Sequence, residues 1–225
     1  MRGLAGFGLA ILLVPVLGLA IPPGEAVVVS NWLAFLISFM KIGKQIEDTE
    51  RSAWIIAGVA LLAIPFGILA LHAVGPAVAR LVIALIAVGA FIAVLLPPKP
   101  HHAPGMKETV ATGAAAGLLT GFAGMPGPPV VPFYLRRDLA PVTARASMMS
   151  IFVVTQGAGV VIAFALGLAT WRELWIALAL YPVCMIGNWL GGQAFGRVDP
   201  KAWRLIAGLV LGAAALGALL KLVRA

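Results

Sequence analysis

The sequence predicts an all-α polytopic membrane protein built as two repeats of about four hydrophobic segments each, and three observations predict it. Of 225 residues, 62% are apolar and only 11% are charged. A soluble domain carries about 25% charged residues, so this chain has too little polar surface to coat a water-facing globule. The charged residues leave eight long gaps between them, and matching residues recur 117 to 124 positions apart.

An ion at the centre of a membrane helix costs roughly 2.5–3.5 kcal/mol, so the charge-free gaps mark the segments. They run Gly3 to Gly24, Ala26 to Met40, Ser52 to Ala79, Leu81 to Pro98, Thr109 to Leu135, Ala146 to Trp171, Leu174 to Gly196 and Leu205 to Leu220. A bilayer core of about 30 Å needs about 20 helical residues. The second and eighth gaps, of 15 and 16 residues, reach that length if Lys41, Lys44, Arg204 and Lys221 snorkel outward. The first gap, GLAGFGLAILLVPVLGLAIPP, carries glycines and Pro15; it reads as a broken membrane segment rather than a signal peptide. Trp54, Trp171, Trp175 and Trp203 fall near segment ends, as interfacial aromatics do. Small residues in GNWLGGQAF, Gly187 to Phe195, suit a tight helix interface.

The duplication gives the domain plan. Offset 118 pairs Gly3 with Gly121, Ala5 with Ala123, Gly6 with Gly124, Pro23 with Pro141 and Ala26 with Ala144. Offset 117 pairs Pro15 with Pro132, Trp54 with Trp171 and Pro65 with Pro182, and offset 124 pairs Pro76 with Pro200, Arg80 with Arg204 and Leu81 with Leu205. Residues 1–97 form a first transmembrane repeat, 98–108 a Pro/His linker and 109–225 a second repeat. In the second repeat TVATGAAAGLL, Thr109 to Leu119, precedes the Gly121 motif, whereas its counterpart Gly3 lies two residues from the chain start. The expectation is a natural N-terminus longer by roughly a dozen residues.

Several function classes drop out. The net charge of +8 comes from sixteen Lys and Arg that sit mostly between apolar runs, where they orient helices at the membrane surface rather than bind nucleic acid. The single cysteine, Cys184, excludes an intrachain disulfide and a multi-cysteine metal site. No His-Glu zinc spacing, phosphate loop or nucleophile elbow occurs, so neither a metal nor a cofactor is expected. His101 and His102 read as solvated linker. The apolar runs hold no His or acid pair beyond the isolated His72, so an enzyme is not expected. Glu25, Glu108 and Glu173 fall at run edges, leaving no midplane carboxylate to relay protons. An anion would then move on its own gradient and the membrane potential.

The local sequence richest in chemistry is GFAGMPGPPVVPFYLRR, Gly121 to Arg137. Three glycines and four prolines between Gly121 and Pro132 cannot run as an unbroken helix, since each interior proline costs about 3 kcal/mol. Irregular backbone at membrane depth survives only where protein buries it or where it lines a cavity. A simple kink is one reading; a discontinuous helix or re-entrant hairpin, of the kind that forms midplane sites in transporters, is the other. Pro128 and Pro129 suit the first turn of a second half-helix, leaving the N–H groups of Val130 and Val131 to face the gap. A helix N-terminus carries roughly +0.5 charge, so this makes an anion site without a buried lysine, and Gly124 and Gly127 permit close approach. Gly6-Phe7-Gly8 would face it from the first repeat. Asn31, Gln156 and Asn188 lie in three separate apolar runs; their amides either bond helix to helix or line the substrate path. Arg136 and Arg137 either anchor the interface or attract anions.

These residues carry a resemblance. GLLTGFAGMPGPPVVPFYL resembles the second signature, and GLAGFGLAILLVPVL the first, of the sulfite exporter TauE/SafE family in the toluene sulfonate uptake permease superfamily. The likeness continues through PPGEAVV and APVTARASM. Pro126 and Pro128 stand where family members often have further glycines. The resemblance implies a multi-pass inner-membrane carrier, an exporter of sulfite, a related sulfonate or another small anion, with no known cofactor. The rival reading is a membrane-embedded structural or assembly subunit. Self-association and the identity of the anion stay open.

Two topologies are compatible with the loop charges. If all eight segments cross, nine cations face one side and seven the other; if segments one and five re-enter, the split is five against eleven. The positive-inside rule favours the second, which makes the halves inverted repeats.

Overall fold

A computed structural model describes residues 8–39, 46–95 and 104–194, with 213, 216 and 217. Among the described residues there are eight helices: α1 (Gly8–Ala20), α2 (Pro23–Phe39), α3 (Arg51–Ala73), α4 (Pro76–Leu95), α5 (Met106–Ala123), α6 (Gly127–Leu135), α7 (Pro141–Ala165) and α8 (Trp171–Ala194). Three stretches, Arg51–Ala73, Pro76–Ala93 and Pro141–Ala165, are long and apolar enough to cross a bilayer, and two shorter apolar helices precede them. Large apolar side chains such as Leu62 and Phe66 on α3 and Val161 on α7 stand exposed, as a lipid-facing surface requires. The all-helical, multi-pass architecture read from the charge gaps is the one observed.

The starts of the helices follow local chemistry. Pro23, Pro76 and Pro141 open α2, α4 and α7, where a missing N–H goes unused and φ is already helical. A capping box starts α8: the Glu173 carboxylate accepts from the N–H and the hydroxyl of Thr170, each at 2.8 Å. Pro15, Pro65, Pro132 and Pro182, by contrast, lie inside continuing helices.

With lipid as the solvent, close packing rather than apolar burial joins helices. The tightest join is α3 to α5. Gly113 lies against Ile56 and Val59, Gly117 against Ala60 and Ala63, and Gly121 against Ile64 and Gly67, so close that an added Cβ would strike the opposing backbone carbonyl. Spaced four apart, these glycines form one groove along α5. Because residue numbers rise together on both helices, α3 and α5 are parallel. Of the interface expected at Gly187–Phe195, the side chains from Asn188 on lie outside the described residues, and a Cβ built on Gly187 meets no described residue of another helix within 4 Å.

Polar contacts fix which ends lie together. The Glu50 N–H donates to Ser147 Oγ at 2.9 Å, and the Thr49 and Ser150 hydroxyls are 2.8 Å apart, so α7 starts beside the start of α3. At the opposite end, a Cβ on Gly24 would meet the His72 ring, and Arg172 pairs with Glu25 at 2.9 Å. Thus α2 begins where α3 ends and α8 begins. Arg80 donates to the Gly18 carbonyl at 2.6 Å, bringing the end of α1 to the same place.

Candidate functional site

Helix α5 stops because Gly124 turns left-handed, at φ 66°, a conformation costing a side-chain-bearing residue roughly 1–2 kcal/mol. The turn closes the helix by donation from Gly124 N–H to the Thr120 carbonyl, 2.9 Å, and from Met125 N–H to that of Leu119, 3.1 Å. After Met125 and Pro126 the chain re-enters a helix, α6. Every residue from Ala123 to Gly127 is buried, so protein encloses the irregular backbone.

The second half-helix begins one residue earlier than the proline pair suggests. Gly127 is its first residue and Pro126 its N-cap, which puts the Val131 N–H in register for the Gly127 carbonyl. A helix start leaves four amide positions free; here they are Pro126, Gly127, Pro128 and Pro129, and three of those have no N–H. In this register the Val130 and Val131 amides fall inside the helix, and Gly127 carries the first N–H of α6. The side chains of Val130 and Val131 pack into a core with Ile56, Ala60, Ala116 and Phe152.

Asn31 comes to this break from α2. Its side chain is 2% exposed, and Oδ1 lies 3.3 Å from where a Cβ on Gly124 would sit; the Val27 carbonyl and Val14 are 3.5 Å from the same point. On its other side, Asn31 Nδ2 lies 2.9 Å from a Cβ position on Gly159 of α7, with Thr120 close by. Further along the seam, Phe35 packs over Gly157. Numbers fall on α7 as they rise on α2, so the two are antiparallel and Gln156 follows Gly159 by one turn. Asn31 Oδ1, Gln156 Oε1 and Ser30 Oγ are buried without a hydrogen-bond partner, and buried polar atoms in that condition are rare enough to need a reason.

The structure therefore gathers Gly124, Gly127, Pro128 and Asn31 at one interruption and sets Gln156 on the adjoining helix seam. Gly8 is the first residue of α1, whereas Gly6 and the side chain of Asn188 lie outside the described residues. Sequence reasoning missed Ser30, Thr120 and Gly159. Ser30 adjoins Asn31 inside an apolar run and could have been noticed. Gly159 could not, since only packing brings it to Asn31.

The end of α6 is held by a polar cluster. Arg137 pairs with Glu50 and donates to Ser52 Oγ at 2.9 Å; the same hydroxyl lies 2.9 Å from the Tyr134 OH and donates to Glu50 Oε2. Arg137 also sits 5.6 Å over the Phe133 ring. Arg136 is not part of this cluster, and the two arginines expected to act alike differ.

Among the described residues no group of three or more His, Cys, Asp or Glu could hold a metal. Described carboxylates all sit at helix ends or in loops, several committed to the bonds above.

The model of the sulfite exporter TauE/SafE family matches residues 1–218. One relative, the probable sulfite/organosulfonate exporter TauE of Cupriavidus necator, is 26% identical over 216 residues, covering 92% of this chain and 84% of that protein. No solved structure matches. The glycine-rich and proline-rich turn just described thus lies within a match spanning nearly the whole chain, and the chain belongs to the sulfite exporter TauE/SafE family, whose members are membrane transporters rather than enzymes.

Proposed function

We propose that this protein exports a small sulfur oxyanion or organosulfonate across the inner membrane, and that the anion passes the interruption between α5 and α6. The observation that carries the reading is the enclosed break at Gly124–Pro126, with the unpaired Asn31 oxygen directed at it. A structural subunit would have no use for a buried amide oxygen left without a partner beside an interrupted backbone.

In this reading α5 and α6 form a re-entrant hairpin. It is supported by the parallel run of α3 and α5 and by the return of Tyr134 and Arg137 to Ser52 and Glu50 at the start of α3. Both ends of the hairpin then lie on one side. Helix α1 would be the equivalent of α6 in the first repeat, α2 of α7 and α3 of α8, with inverted direction. Pro15 and Pro132 lie inside the first pair, Pro23 and Pro141 start the second, and Pro65 and Pro182 lie inside the third. Arg51, Lys107, Arg136, Arg137 and Arg145 belong to the side where α3 begins, against Arg80 and Arg172 on the other, which makes the first side cytoplasmic.

The driving force is the membrane potential, worth about 2.3 kcal/mol per charge per 100 mV, which expels an anion from a negative interior. Cells lacking the gene should be more sensitive to sulfite. In proteoliposomes, sulfite efflux should rise with an interior-negative potential; flux that ignores the potential and follows a pH gradient would contradict this.

A further inference from the structure

We propose that the polar cluster at the end of α6 is a second anion site, a loading site on the cytoplasmic side at which the transported oxyanion replaces the Glu50 carboxylate on Arg137 and Ser52. The proposal rests on the reading of the α5–α6 interruption as the substrate path and adds where the anion is first held.

The seat is built for two oxygens. One carboxylate oxygen of Glu50 meets Arg137 Nη2, and the other accepts from the Ser52 hydroxyl at 2.9 Å. Ser52 Oγ also accepts from Arg137 Nη1 and lies 2.9 Å from the Tyr134 OH. A hydroxyl has two acceptor positions and one proton, so Arg137 and Tyr134 fill the acceptor positions while the proton points at the carboxylate. A guanidinium and a hydroxyl thus converge on one place, and a sulfite or sulfonate brings the same pair of neighbouring oxygens that a carboxylate does. The Arg137 and Glu50 side chains are 20% and 24% exposed, shielded enough that the guanidinium needs an anion and open enough to exchange it. Tyr134, 1% exposed, backs the seat.

The cation keeps its position without Glu50. Arg137 lies 5.6 Å over the Phe133 ring, its backbone N–H donates to the Tyr134 carbonyl at 3.2 Å, and its side chain donates to Ser52. Glu50, by contrast, has a second place to go. It is the N-cap of α3, yet its carboxylate makes no capping bond to that helix. A carboxylate at a helix start is stabilised by the amides and the dipole there, so an anion that takes Arg137 leaves Glu50 a favourable alternative. The location suits loading as well. Arg137 lies two residues beyond Leu135, the last residue of α6, and the break lies at the other end of that helix, about 14 Å away at 1.5 Å per residue.

Inverted membrane vesicles, which turn the cytoplasmic face outward, test this through the KM for uptake of labelled sulfite, corrected for vesicles lacking the protein. Glu50→Gln removes the competing charge and keeps the side chain's length; it should lower KM at least about threefold. Glu50→Asp retains the charge but is a better helix cap with a shorter reach, which draws the carboxylate back toward α3 and should lower KM as well. Arg137→Gln and Ser52→Ala remove the donors and should raise KM, and Arg137→Gln should cancel the decrease when combined with Glu50→Gln. A brace between α3 and α6 that never meets the anion predicts the reverse, since loosening it leaves KM unchanged or raises it. Wild-type uptake with KM unchanged or raised in both Glu50 variants overturns the loading site and leaves the exporter reading standing. Absence of sulfite uptake in the wild type overturns the exporter reading and the loading site together.

Discussion

Gly124 and Gly159 hold Asn31 between them, and each leaves it room in a different way. At Gly124 the backbone itself is left-handed, so Gly124→Ala strains φ as well as crowding Oδ1. The expected cost is about 1–2 kcal/mol, read as a lower melting temperature, together with slower efflux. At Gly159 the backbone is ordinary helix, and the added methyl would lie 2.9 Å from Asn31 Nδ2. Gly159→Ala should therefore slow efflux by displacing the amide. Gly58 on α3 is a useful control, because nothing lies within 4 Å of a Cβ there; Gly58→Ala should be neutral or stabilise by up to about 1 kcal/mol. Equal effects of Gly58→Ala and Gly159→Ala on efflux would show that the Asn31 contact is irrelevant to transport. The sequence already marked Asn31 and Gln156, since an amide in an apolar run needs a partner. It left open whether that partner is another helix or a ligand, because the answer depends on what faces the amide. Gly159 is 128 positions from Asn31, and no local pattern ties them.

Helix α6 has only nine residues; a glycine turn precedes it and an ion pair holds its far end. Arg137→Ala removes the bonds to Glu50 and Ser52 together, and amide exchange across residues 127–135 should accelerate, while Arg136→Ala should leave it unchanged. Similar exchange in the two variants would remove the latch from the account. The α3–α5 join makes a different prediction. Gly117→Leu drives a side chain into the Ala60 backbone, and the purified protein should lose its single sharp peak in size-exclusion chromatography. The interruption itself was legible, since four prolines and three glycines in twelve residues leave little else. Its position within the run was less so. Pro132, Pro15, Pro65 and Pro182 obey the same rule locally yet sit inside helices, because neighbouring helices can re-satisfy the freed carbonyls. The Gly113, Gly117, Gly121 groove was visible as spacing but not as contact, and the small-residue run at Gly187 drew attention instead.

At the scale of the whole molecule, the charge gaps fixed the class of protein, because the cost of burying ions is the same wherever the chain crosses. They could not say whether a gap crosses or returns; the re-entrant reading proposed above draws its support from contacts such as Tyr134 to Ser52, 82 positions apart. In a Cys184→Ala background, single cysteines at Asp48 and Leu168 should label from opposite sides of the membrane, the first from the cytoplasm; labelling from one side would refute the re-entrant arrangement. The central claim is that the anion passes the break at Gly124–Pro126, and Gly127 tests it most directly, being the first residue of α6 and fully buried beside the break. The measurement is potential-driven sulfite efflux from proteoliposomes containing wild type or Gly127→Leu, matched for the amount of correctly folded protein. The account predicts that the variant inserts and folds but loses efflux; efflux at the wild-type rate would contradict it.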